Sequence, residues 1–447
     1  MGSAPVVRAR SPIALTLSLL VGACHPRAPA PPRDAPAPSR DAAAPRADRP
    51  ADASAARPPS AELADLDARI RAREAAIVRN DDWLSWERVA VDYMTRARMS
   101  SDYADYARAE QSLARSFAHA SPGTGPFLTR ARFNYTVHRV GRVTADLDAL
   151  QYAILRFNER ESVAHLRAEV AFYSGRYDEA ERRYAANLAA ERGVTNLVAM
   201  AQFQWKTNAF EEAERTLAEA DAAAAREDDG MRAWVFLVRG MMELDRGRWD
   251  AALAAFRGGL RLQPTSWMFQ EHVAEVLMFL GHDEEARLMY VDLVERTGDP
   301  EFVDCLAQIY ERRGDAAQAR PLVARARAAY EERLRVMPEA TAGHAIEFFL
   351  RRDPARAVPI AELNRDARPN GEALVKLAEA YLNVGRVDDA RRVIDALLAT
   401  RWRTADAHAA AARVYARSGD GARAAVERRA ALAIDPHALD DEPDAGR

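Results

Sequence analysis

The chain has 447 residues, with 63 Lys+Arg against 67 Asp+Glu and a net charge of −4. That balance carries no basic footprint for nucleic acid, and lysine occurs only at Lys206 and Lys376 while arginine abounds. Two cysteines, Cys24 and Cys305, cannot build a disulfide framework.

Residues 1–23 read as an address. Arg8 and Arg10 precede the apolar run from Ile13 to Val21, too short to span a membrane. The run ends in Val21-Gly22-Ala23-Cys24, which resembles the bacterial lipoprotein cleavage box. That resemblance implies acylation of Cys24 and, because His25 replaces the aspartate that retains such proteins at the inner membrane, delivery to the outer membrane facing the periplasm. Ordinary secretion with a chance cysteine is the plainer alternative. Several acyl chains anchor where a single chain does not. Residues 24–60 are rich in Pro and Ala, with too little apolar content to offset the entropy of ordering. As a polyproline-like tether they reach roughly 100 Å at full stretch.

From residue 61 the pattern turns helical. Leu63, Leu66, Ile70 and Ile77 share one face, and Trp83 and Trp86 open a first hairpin behind Asp81-Asp82. Residues 61–160 hold divergent pairs; residues 161–437 are regular; residues 438–447 form an acidic tail. In the regular part a small residue opens each second helix: Ala180, Ala213, Ala252, Ala286, Ala319, Ala357, Ala390 and Ala424. Successive differences are 33, 39, 34, 33, 38, 33 and 34, and a glycine stands five residues earlier at Gly175, Gly247, Gly281, Gly314, Gly385 and Gly419. Glycine ends the first helix because it alone enters the left-handed conformation without a steric penalty.

This spacing resembles the tetratricopeptide repeat family, whose period is about 34 residues. The resemblance implies an all-α fold, a right-handed α-solenoid of about ten helical hairpins. The two long spacings fall at residues 220–231 and at Pro321–Pro338, where a helix outruns repeat length and marks a kink between two sub-arrays. The eighth unit lacks its turn glycine and has Arg351-Arg352-Asp353-Pro354 instead.

No catalytic constellation stands out: there is no nucleophile elbow, phosphate loop, His-Glu-x-x-His or Cys-x-x-Cys. The nine histidines are dispersed, no metal site is expected, and Cys305 reads as a buried small hydrophobe. The expectation is a non-enzymatic protein without cofactor. In the tetratricopeptide family, fixed positions of each first helix line a concave groove. Carried onto this sequence they give Phe172, Tyr173, Trp205, Trp234, Met241, Glu271, Glu275, Met278, Phe279 and Phe349. Such a surface suits an apolar, somewhat basic segment of a protein partner. The same side chains could instead pack between adjacent helices. The family's carboxylate clamp is improbable, because the matching positions hold Glu169, Gln202, Glu275 and Glu379. The resulting expectation is an outer-membrane lipoprotein scaffold or assembly adaptor, similar to pilus pilotins and envelope-assembly lipoproteins, with a protein partner of the cell envelope and membrane contact through the lipid alone. The alternative is a peptide- or glycan-binding receptor that uses the aromatic groove.

Overall fold

A computed structural model describes residues 61–151, 155 and 157–440. The signal segment, Cys24, the tether and residues 441–447 lie outside the described residues. Among the described residues the chain is helix after helix, with no strand. A first helix, α1 (Ala61–Ile77), precedes ten hairpins. The first five are α2–α3 (Trp83–Ser100, Tyr103–His119), α4–α5 (Phe127–Thr136, Val140–Ala149), α6–α7 (Phe157–Tyr173, Tyr177–Ala190), α8–α9 (Val194–Lys206, Phe210–Ala224) and α10–α11 (Asp229–Asp245, Trp249–Leu262). The second five are α12–α13 (Trp267–Phe279, Asp283–Thr297), α14–α15 (Pro300–Arg312, Ala316–Val336), α16–α17 (Pro338–Arg352, Pro354–Ala367), α18–α19 (Gly371–Asn383, Val387–Leu398) and α20–α21 (Ala405–Arg417, Gly421–Ile434).

The repeating alanine is the point of closest approach between the two helices of a hairpin. Ala180, Ala213, Ala252, Ala286, Ala357 and Ala390 are fully buried and Ala319 nearly so. Ala424 is half-exposed, because no further hairpin stacks on the last one. Nine of the ten turns place one residue in the left-handed region: the six glycines of the sequence pattern and Ser101, His138 and Asn208. Asn and His visit that region more readily than most residues, so these turns keep the geometry without glycine. The eighth turn does without a left-handed residue: Asp353 alone joins α16 to α17 and caps the Arg356 N–H at 3.3 Å.

The ten hairpins wind into two coils that touch. Each turn of the first coil rests on the junction that follows the hairpin five places later. The first turn meets the sixth-to-seventh junction: Arg333 donates to the Ser101 carbonyl at 2.8 Å and pairs with Asp299 at 2.9 Å. At the second, Arg139 meets Glu339 at 3.2 Å beside Met337, and the rings of His138 and His344 stack 6.4 Å apart. In the third, the Gly371 N–H donates to the Tyr177 hydroxyl at 2.7 Å, and Trp402 lies 5.8 Å from both Phe172 and Tyr177. The fourth joins the Arg403 N–H to the Lys206 carbonyl at 2.9 Å. At the fifth, Trp249 stacks on His437 at 3.8 Å.

Crowding follows the same division. A Cβ on Gly247, in a turn of the first coil, would lie 1.9 Å from the Asp435 carboxylate, whereas Gly281, Gly314, Gly385 and Gly419 in the second coil face open space. The long helix α15 is part of this seam. It runs 21 residues, and its last turn carries Arg333 across to the first coil. Rather than serving only as a kink between sub-arrays, it spans the two coils.

Candidate functional site

The expected groove is where the structure departs most from the sequence reading. Phe172, Tyr173, Trp205, Trp234, Glu271, Glu275, Phe279 and Phe349 are all buried, and only Met241 and Met278 are half-exposed. Their partners are internal. Phe172 packs on Tyr177 and Trp402, and Tyr173 meets Tyr135 edge-on at 5.8 Å. Trp205 donates to Asp245 at 2.8 Å under the Lys206 ammonium. Phe279 stacks on Trp249, and Phe349 lies against Phe348 and Tyr330. Packing between adjacent helices, and for Phe172 also across the two coils, turns these side chains into core. As partner anchors they are therefore corrected: the apolar payload they carry is already spent on this chain's own packing.

The row of first helices in the second coil instead carries a ladder of ion pairs. Asp304 of α14 meets Arg351 and Arg352 of α16 at 2.5 and 3.2 Å, and Arg352 also pairs with Glu311 at 2.6 Å. Glu347 of α16 pairs with Lys376 of α18, which also holds Glu379 at 3.2 Å. Glu379 in turn binds Arg413 of α20 at 2.6 Å. Burial opposes the charge on Lys376, yet Glu347, Glu379 and Asp406 outweigh it and hold its pKa above the ordinary lysine value. Each link joins one repeat to the next, so the ladder fixes the stacking register of four hairpins. Glu169, at the position matched to the carboxylate clamp, accepts from the hydroxyls of Tyr135 at 2.5 Å and Tyr184 at 2.8 Å.

Other expectations resolve residue by residue. Cys305 is buried within α14, as its apolar neighbours suggested. The seam residues Trp267, whose indole donates to the Arg98 carbonyl at 3.2 Å, Met337, Trp402 and His437 lack a repeat signature in the sequence, although all but His437 are large apolar side chains at or beside repeat junctions. Also unremarked was Glu271-His272-Val273-Ala274-Glu275, one histidine flanked by two acids on a helix. Among the described residues, no helix is long and apolar enough to cross a membrane.

Comparison with known proteins adds fold and little else. No family model matches the chain. A TPR repeat-containing protein of Treponema pallidum is 28% identical over 158 residues, 35% of this chain and 18% of that protein. The chain thus spans under a fifth of the length of that relative. Yeast Tom70 is similar over 83% of this chain and 89% of its own, at 13% identity and a TM-score of 0.40. PilW, described as a type IV pilus biogenesis factor, is similar over 47% of this chain and 95% of its own, at 18% identity and a TM-score of 0.38. With its near-34-residue period and ten stacked hairpins, the chain is an α-solenoid similar to tetratricopeptide repeat arrays.

Proposed function

We propose that this chain is a non-enzymatic scaffold, held at the periplasmic face of the outer membrane by acyl chains on Cys24 and set off from the lipid by residues 25–60. Helical solenoids of this type engage protein partners through surface laid out along stacked repeats. The observation that supports the reading is the two-coil seam. It makes ten hairpins one body whose large aromatics are committed to internal packing, leaving extended polar faces for another protein. Of the nominated groove residues, Met241 and Met278 alone remain within a partner's reach. Methionine is flexible and polarizable, which suits a surface that must adapt to another chain. The receptor reading needs an open aromatic groove and so has less to stand on.

Two measurements test this. Cys24→Ser should shift the protein from the membrane to the soluble fraction of the envelope; unchanged fractionation would sink the anchor. A photo-crosslinking side chain at position 241 or 278 should capture a protein at defined stoichiometry, while the same group at exposed Leu288 should not. Capture of glycan fragments alone, or of nothing from intact envelopes, would overturn the scaffold.

A further inference from the structure

Three buried polar side chains of α12 stand apart from the ion-pair ladder. Glu271 is 0% exposed, His272 2% and Glu275 3%. Helical spacing puts Glu275 one turn beyond Glu271 and His272, so all three side chains converge. The Nδ1 of His272 lies 3.2 Å from Glu271 Oε2 and 3.3 Å from Glu275 Oε2, and the three ligand atoms fall within 4.8 Å of one another. Phe256 stacks on the imidazole at 4.6 Å with an interplanar angle of 14°, which holds the ring plane toward the carboxylates.

A second observation is independent of this convergence. Neither oxygen of Glu271 makes a well-formed hydrogen bond, although the Tyr290 hydroxyl lies beside it and the His272 ring nitrogen stands 3.2 Å from Oε2. Buried carboxylates are ordinarily paired or hydrogen-bonded, and one without a partner implies a missing proton, water or ion. The nearby positive charge is already taken, because Arg333 pairs with Asp299, which also accepts from Ser101. Glu301 next to this pair bonds His344 at 3.4 Å.

We propose that Glu271, His272 and Glu275 form a buried three-ligand site for a divalent transition-metal cation, zinc by geometry. Bonds of 2.0–2.1 Å at tetrahedral angles place neighbouring ligand atoms about 3.3 Å apart, close to the two separations found. An imidazole nitrogen in the set disfavours calcium and magnesium, which take oxygen ligands. Two carboxylates and a neutral imidazole balance a dication without residual charge. All three ligands belong to α12 of the sixth hairpin, whose junction with the seventh forms the first rung of the seam. The competing arrangement neutralises the acids with a proton.

The test uses the full chain, unfolded in urea with a chelator, freed of both, and refolded with or without Zn²⁺. The wild type should retain about one Zn²⁺ per chain and melt at higher temperature than the metal-free protein. Co²⁺ in place of Zn²⁺ should give the intense visible absorption of a four-coordinate ion. Glu271→Gln preserves shape and should weaken Zn²⁺ binding by more than the roughly 10–100-fold that loss of an outer-shell partner costs. Glu284→Gln, on an exposed turn, should bind as the wild type does. Absence of retained metal and of the cobalt spectrum in the wild type, or equal retention by Glu271→Gln, overturns the site in favour of the proton.

Discussion

His138 shows how a single side chain couples this fold to pH. It sits in a left-handed turn of the first coil, stacked on His344 of the second. Burial, Arg368 and His344 push its pKa well below the usual histidine value, against a hydrogen bond that the ring donates to the Glu339 backbone. The folded state therefore keeps His138 neutral where the unfolded chain takes up a proton near pH 6.5. Its contribution is complete above about pH 6.5 and falls by about 1.4 kcal/mol per pH unit below it. His138→Asn, which tolerates the same backbone, should flatten that part of the stability profile in urea titrations from pH 7 to 5. An unchanged slope would show that another group titrates there. Trp402 joins the coils by packing alone: its ring lies against Phe172 and Tyr177, so Trp402→Ala should cost about 3–5 kcal/mol. Chemical denaturation would read it.

At the scale of elements, α15 is the informative helix. A repeat helix of ordinary length would end before reaching the first coil, and Arg333 is what the added turns deliver. Arg333→Met keeps the stem and removes the guanidinium, stranding Asp299 without its cation. Breaking such a buried pair costs about 3–5 kcal/mol. The same unfolding measurement on the double variant Arg333→Met with Asp299→Asn should recover part of that loss; no recovery would mean that the pair is not the source. The second helices carry a quieter signature. Those of the first coil open with Tyr103, Val140, Tyr177, Phe210 and Trp249, and those of the second with Asp283, Ala316, Pro354, Val387 and Gly421. Four of the five helices whose turns a second coil covers open with an aromatic residue, and none of the five whose turns stay uncovered does.

For the whole molecule, the seam changes how stability is shared. An open solenoid couples each repeat only to its neighbours, so unfolding can fray from either end. Here hairpins three to five are also held by residues 369–437, about two hundred positions away. Deleting residues 401–440 should lower amide-exchange protection around Tyr177 and Trp249 as well as in α18 and α19. Loss confined to the new C-terminus would show that the coils do not support one another.

Helix spacing, the buried alanines and six of the nine left-handed turn positions could be read from the sequence because they are local. A helix has a fixed pitch, a hairpin needs a small residue where its axes approach, and a sharp turn favours glycine. Ser101, His138 and Asn208 escaped because other residues can adopt the same backbone when their surroundings hold them there. Which face of each first helix meets solvent could not be read in this way. Trp205 and Phe349 carry the same apolar pattern whether the solenoid is open or wound upon itself. That choice depends on the small rotation between successive repeats, summed over five hairpins, and only the tertiary structure shows that the sum brings turn onto junction. The convergence of Glu271, His272 and Glu275 lies between the two. Their spacing is written in the chain, but their burial comes from the hairpins packed around them.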